Sequence, residues 1–185
     1  YLAATNYELT HENEYFSIRT KAALLDITPL YKYIIEGPDA ERFLDRMVTR
    51  NIGICKTGQV MYTPWCDEDG KQIDDGTVQR LSDQKFRITS AEPNLEWIEY
   101  NAAGMDLSIL DDSYTTAALA IQGPNSRTIL NAVTSDSLNN LSFFWMMETQ
   151  FGDIPVSISR TGYTGDLGYE IWMDTKDALY VWDLL

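Results

Sequence analysis

GPDAERFLDRMV at residues 37–48 and GPNSRTILNAV at residues 123–133 align without gaps through their first nine residues, and that repetition decides how the chain is read. Each segment follows an apolar run suited to a strand, YKYIIE at 31–36 and AALAI at 117–121. Proline is tolerated in the first turn of a helix, where its missing N–H would have no partner. Asp39 also suits the positive end of the helix dipole. Phe43, Leu44, Met47 and Val48 in one segment, and Ile129, Leu130 and Val133 in the other, supply apolar helix faces. Two strand–Gly-Pro–helix units suggest a duplicated α+β half-motif. The competing reading is chance likeness between two helix starts.

Working outward, 60–65 reads as strand and Asp67-Glu68-Asp69-Gly70 as a turn. Strand resumes through Ile73, Val78 and Leu81, turns at Ser82-Asp83 and returns over 85–89. A helix starts near Pro93 with Leu95, Trp97 and Ile98 apolar, and further strands fall at 105–110, 154–159 and 169–173. Residues 8–23 read as an amphipathic helix with Tyr15, Ile18 and Ala22 on one side, and His11 as a helix-surface residue. Phe143-Phe144-Trp145-Met146-Met147 reads as a buried strand or helix rather than a cofactor wall. The expected fold class is α+β, with duplicated strand–helix units and antiparallel sheets. Tyr1 is not an initiator Met, and 174–185 run into a helical pattern without a cap, so the chain reads as a piece of something longer.

Apolar residues make up 44% of the 185, enough for a core. A net charge of −14, with 14 Lys and Arg among 28 acids, argues against a nucleic-acid surface. Cys55 and Cys66 are the two cysteines and His11 the one histidine, which removes most metal constellations and any triad with a histidine base. With no secretory signal and no long apolar span, a cytoplasmic protein is expected.

Two stretches invite chemistry. In Asp67-Glu68-Asp69-Gly70-Lys71-Gln72 a calcium loop fails on spacing, because Lys71 and Gln72 stand where a carboxylate and a glycine are needed. The turn does not explain Asp74-Asp75, adjacent acids in a strand, of which one should face solvent and the other something internal. Arg160-Thr161-Gly162-Tyr163-Thr164-Gly165-Asp166-Leu167-Gly168-Tyr169-Glu170 matches neither a dinucleotide fingerprint nor a P-loop. Its glycines would let backbone approach a ligand and fix Tyr163. Glu170 could accept two adjacent N–H donors bidentately, or be merely an edge-strand acid. Tyr62, just before the acidic turn, could cover a flat heterocycle or belong to the core.

Taken in order, these segments resemble the glycine cleavage T-protein (aminomethyltransferase) and folate-dependent demethylase superfamily. The likeness rests on Ala22-Ala23-Leu24-Leu25-Asp26-Ile27, Gly37-Pro38-Asp39-Ala40, Asp69-Gly70 through Asp74-Asp75, and Gln122-Gly123-Pro124. Ser159 through Gly165 and Gly168-Tyr169-Glu170 complete it. The resemblance implies a partial folate-binding region in residues 1–185, with a barrel-like domain outside it, and tetrahydrofolate as cofactor. It implies Asp75 as the catalytic carboxylate, Glu170 on the pterin edge, and Tyr62, Tyr163, Ser90 and Phe143 around the cofactor, with no metal. Partners would be a small methyl or aminomethyl donor or a lipoyl carrier protein, without nucleic acid or membrane.

The chain departs from the glycine-cleavage pattern at Asp26-Ile27-Thr28-Pro29-Leu30-Tyr31, at Gly76 and Gln79, and at Ser90-Ala91-Glu92. In this it is similar to demethylases acting on O-, N- or S-methyl donors. The alternatives are a non-catalytic folate-binding accessory protein of iron–sulfur cluster assembly, and a folate domain of a flavin amine dehydrogenase.

Overall fold

Gly37 and Gly123, which open the repeated segments, both take positive φ, 146° and 127°. A Cβ would stand 2.6 Å from the Asp106 carbonyl oxygen at Gly37 and 2.6 Å from that of Lys21 at Gly123. Two residues on, Asp39 N donates to Asp106 O at 3.1 Å and Asn125 N to Lys21 O at 2.9 Å. One corner has been built twice.

The structure is a computed structural model describing residues 10–185. Helix α1 (His11–Thr20) and strand β1 (Ala23–Asp26) come first. The first unit follows: β2 (Tyr31–Glu36), α2 (Ala40–Met47), a 3-10 turn (Ile52–Ile54), β3 (Val60–Cys66), β4 (Gln72–Ser82), β5 (Lys85–Ser90), α3 (Leu95–Asn101) and β6 (Ser108–Asp111). The second repeats it: β7 (Thr116–Gln122), α4 (Ser126–Val133), a 3-10 turn (Leu138–Asn140), β8 (Met146–Phe151), β9 (Ile154–Ser159), β10 (Gly168–Asp174) and α5 (Ala178–Leu184). The first sheet runs β3-β4-β5-β2-β6 and the second β8-β9-β10-β7-β1. Every pairing is antiparallel, and β1 holds in the second sheet the place β6 holds in the first. The α+β class and the duplication are as the sequence predicts.

The repetition reaches single hydrogen bonds. Asp45 Oδ1 accepts from Ile52 N at 2.7 Å, and Asn131 Oδ1 from Leu138 N at 2.9 Å, each side chain pinning the 3-10 turn after its helix. Arg80 Nη1 donates to Cys55 O, and Arg160 Nη1 to Leu141 O. The units also meet about a local two-fold axis: Val60 N donates to Phe144 O and Met146 N to Gly58 O, both at 2.8 Å, around the antiparallel bridge Gln59–Trp145. Gly58 has φ 80°, and its counterpart Phe144 has φ 60°, a conformation unfavourable for a side chain that this reciprocal contact imposes.

Each helix covers one face of its sheet. Helix α2 buries Ala40, Phe43, Leu44 and Met47, in a core with Trp65, Phe86 and Ile88. Helix α4 contributes Leu130 to a second core with Phe151, Ile158, Tyr169 and Ile171. Strand alternation turns the other faces toward each other, where the Arg87 guanidinium lies over the Trp172 ring at 5.4 Å.

Three expectations need correction. Of the helix read over 8–23, residues 8 and 9 lie outside the described residues; α1 is capped by Thr10, buries none of its residues, and Ala23 already belongs to β1. Residues 143–147 are not a buried element: strand starts at Met146, and Phe143 is 65% exposed, its ring edge-on to Phe144 at the crossing between sheets. The strand read over 105–110 begins at Ser108, because Asp39 Oδ2 binds Asp106 N at 2.9 Å and holds the preceding residues in a turn.

Candidate functional site

Glu170 lies on β10, in the middle of the second sheet and 7% exposed, so it is no edge-strand acid. Tyr169 and Ile171, its neighbours, enter the helix-side core, which turns Glu170 and Trp172 toward the first sheet. Thr161 Oγ1 donates to Glu170 Oε2 at 2.7 Å, and Ser159 Oγ lies 2.7 Å from Thr161 Oγ1. Burial pushes the Glu170 carboxyl above the usual range, and the Thr161 and Ser159 hydroxyls only partly offset it.

The glycines of the loop before Glu170 make room for Gln122. Cβ atoms on Gly162 and Gly168 would stand 2.2 Å and 2.0 Å from Gln122 Oε1. Gln122 Nε2 donates to Thr161 O at 3.3 Å and Tyr169 O at 3.4 Å, while Thr164 Oγ1 donates to Gln122 Oε1 at 2.9 Å. One buried amide thus fixes the loop's path to Glu170. Tyr163, 72% exposed, extends from its rim.

Asp74 is the internal acid of the pair and Asp75 the accessible one. Asp74 is 8% exposed, accepting from Asp75 N on Oδ1 at 2.8 Å and from Glu92 N and Asn94 Nδ2 on Oδ2 at 3.1 and 2.8 Å. Half-buried Asp75 accepts from Tyr62 Oη at 2.9 Å and Gln72 Nε2 at 2.8 Å. That bond to Asp75 raises the Tyr62 pKa, because ionising the phenol would set two anions together. Gly76 lets β4 cross β5: a Cβ there would stand 1.8 Å from Thr89 O. In β4, Val78 enters the core and Asp75, Thr77 and Gln79 point the other way, with Thr77 Oγ1 2.8 Å from Thr89 Oγ1.

Asp75 and Glu170 therefore stand on the two facing sheet surfaces, although no hydrogen bond links them. Tyr62 joins Asp75 directly. Phe143 and Tyr163 hold exposed rings. Ser90 is not with them: it is 2% exposed and its hydroxyl donates to Glu92 O at 2.8 Å, shaping the turn that Asp74 also holds.

Sequence reading missed the polar side chains between the sheets. Lys32 is fully buried, its ammonium donating to Thr28 O and Leu30 O at 2.8 and 2.7 Å, and desolvation lowers its pKa to about 8. Arg87 pairs with Asp112 at 3.6 Å and donates to Gln79 Oε1 at 3.2 Å. Their signal was the alternation in Tyr31–Glu36 and Lys85–Ser90, but alternation does not say that the polar face would be covered. Among the described residues no His, Cys, Asp and Glu group is arranged to hold a metal ion, and Asp67 Oδ1 instead accepts from Asp69 N and Lys71 N. No described helix is long and apolar enough to cross a membrane.

Comparison with known proteins agrees with this architecture. The GCVT N-terminal domain family matches residues 1–185. The chain belongs to that family.

An aminomethyltransferase of Halothermothrix orenii is 37% identical over 176 residues, covering 93% of this chain and 49% of that protein. A trimethylamine-oxide aldolase of Ruegeria pomeroyi is 40% identical over 181 residues, covering 92% of the chain and 23% of the aldolase. The crystal structure of glycine cleavage system aminomethyltransferase T from Bartonella henselae superposes with a TM-score of 0.86 at 27% identity, over 96% of this chain and 49% of that one. The chain thus spans about half the length of the aminomethyltransferases it matches. Within the GCVT N-terminal domain, Asp75 and Glu170 occupy different halves of the duplication, on sheet surfaces that face each other.

Proposed function

We propose that this GCVT domain is the folate-binding part of a tetrahydrofolate-dependent one-carbon transferase of the cytoplasm, aminomethyltransferase-like. The observation that carries the reading is Glu170, a buried carboxylate on a central strand, facing the sheet that bears Asp75. Glu170 has hydroxyl donors on one side and lone pairs left over, which suits an edge offering two N–H donors, as a pterin does. Tetrahydrofolate would supply the nucleophilic nitrogen that takes up the carbon unit. Asp75 would stabilise positive charge developing beside it and accept the departing proton, with Tyr62 holding the carboxylate in place. Tyr163 and Phe143 would close exposed rings over the cofactor, and Ser90 would act through the turn it shares with Asp74.

The donor is a methyl or aminomethyl compound, presented free or on a lipoyl carrier. Two observations favour a demethylase-type donor: the departures at residues 26–31, and the 40% identity to the trimethylamine-oxide aldolase. The test is carbon transfer to tetrahydrofolate by the intact protein, with the folate product identified as 5-methyl or 5,10-methylene. Asp75→Asn should lower kcat by about a hundredfold or more while folate affinity changes little. An Asp75→Asn protein working at the parental rate would remove the assignment. Glu170→Gln should weaken folate binding first, since one amide cannot accept from two donors with both its heteroatoms.

A further inference from the structure

A cavity of about 350 Å³ lies between the facing sheets at the end away from Asp75, with Arg87, Ser157, Trp172 and Glu148 in its wall. This is near the small end of ligand pockets, which run about 300–1,000 Å³. Strand register identifies it. Val60 pairs with Gln79 and Gln79 with Arg87; Met146 pairs with Ser159 and Ser159 with Glu170. Val60 and Met146 are equated by their reciprocal bonds across the axis, so Arg87 is the counterpart of Glu170. By the same count Pro155 answers to Asp75, Trp172 to Thr89 and Glu148 to Tyr62. The cavity is the two-fold mate of the Asp75–Glu170 surface with its recognition charge reversed.

We propose that this mate cavity is a second ligand site, taking a small carboxylate that also carries a cationic group, of amino-acid type. Arg87 and Ser157 stand in its wall, and Arg87 Nε and Ser157 Oγ are buried there without hydrogen-bond partners. Buried polar groups without partners are unfavourable, and both of these wall residues can donate, so a carboxylate acceptor is the ligand group that would answer them. The Arg87 guanidinium is braced on the Trp172 ring at 5.4 Å and held to Asp112 at 3.6 Å, which leaves the Nε side for a carboxylate. Glu148, exposed, and Asp174, also in the wall, offer anionic oxygens for the ligand's cation. The site uses side chains other than those proposed for folate, and neither reading depends on the other.

The test uses the intact protein and two probes, glycine and acetate, with nuclear magnetic resonance of the indole N–H of Trp172 assigned by Trp172→Phe. Glycine should shift that resonance saturably, with dissociation constants in the millimolar range. Arg87→Met should weaken both probes at least about tenfold, the loss of one charge-assisted contact. Glu148→Gln, a change at an exposed position that takes an anion away from Arg87, should weaken glycine several-fold and leave acetate unchanged or tighter. Ser157→Ala, which removes an atom with no partner, should keep stability and weaken both. A Trp172 signal unmoved at tens of millimolar, or moved equally in Arg87→Met, would overturn the proposal, as would glycine and acetate responding alike in Glu148→Gln. Folate binding retained in Arg87→Met shows that the two sites fail separately.

Discussion

Asp74 and Asp75 are adjacent acids with opposite work, and replacing each by Asn should separate architecture from chemistry. In Asp74→Asn the amide keeps one oxygen and turns an NH₂ on the other side. If the oxygen stays on Asp75 N, the NH₂ faces Glu92 N and Asn94 Nδ2, two donors that now find no acceptor. Asn94 cannot flip to help, because its Oδ1 accepts from Trp65 Nε1 at 3.3 Å and its Nδ2 also serves Glu92 O at 2.9 Å. Hydrogen bonds to a charged group contribute about 1.5–3 kcal/mol each, so losing two predicts a destabilisation of about 3 kcal/mol. For a chain this size that is about 10 °C in Tm. Asp75→Asn, at a half-buried position where Tyr62 and the Gln72 amide can readjust, should cost less than about 1 kcal/mol. Urea unfolding of both variants measures the difference. Equal midpoints for the two would show that the buried network around Asp74 does not hold the 90–94 turn, and the division of labour would be wrong.

Gly168→Ala should destabilise by about 1–3 kcal/mol through the 2.0 Å approach of its Cβ to Gln122 Oε1, and adding Gln122→Ala should recover part of the loss, as thermal unfolding of the double mutant would show. Lys32 has its folded pKa lowered to about 8, so above that pH the unfolded chain binds more protons and stability rises toward the ordinary lysine value; the gain is about 3 kcal/mol, and Lys32→Met should flatten the curve. Glu170 is shifted the other way: its raised pKa means the native state binds more protons just above the ordinary glutamate range. Stability therefore falls as pH climbs through the folded value, and Glu170→Gln should remove that fall in urea midpoints taken across pH. Folate binding should release up to one proton in the parent and none in Glu170→Gln, read by calorimetry in buffers of different ionisation enthalpy.

The repeated Gly-Pro corners were legible because each rests on local chemistry: a glycine that must accept positive φ and a proline at a helix start. The β3–β4–β5 meander was legible for the same reason, since Asp67 forms its turn by binding the next backbone N–H groups. Asp75 and Glu170 could be named, but only the family resemblance implied that they meet. The residues alone could not show it, because the facing of the sheets depends on a two-fold contact made by backbone alone at Gly58–Val60 and Phe144–Met146. No side-chain pattern marks such a contact. Phe143-Phe144 even pointed the wrong way, its apolar character suggesting burial where the chain in fact crosses in a left-handed conformation. Lys32 and Arg87 escaped because a polar residue in an alternating strand ordinarily means solvent, and here it means the second sheet.

That same interface explains why the duplicated halves differ where they do. On the helix-covered faces the copies agree, with apolar side chains in both cores. On the facing surfaces the counterparts diverge: Lys32 answers to Ala118, Arg87 to Glu170, Asp75 to Pro155 and Tyr62 to Glu148. Burying Lys32, Arg87 and Glu170 costs desolvation that is only partly offset by the Thr28 and Leu30 carbonyls, by Asp112 and by the Thr161 hydroxyl. Buried charges of opposite sign at equivalent positions of the two facing sheets, where the cores behind them agree, are the pattern expected of surfaces shaped for ligands. An apolar replacement of Glu170, as in Glu170→Leu, should then raise the unfolding midpoint at neutral pH while abolishing folate binding. Loss of both stability and binding would instead make Glu170 an architectural residue, and the site would have to be sought elsewhere on the facing sheets.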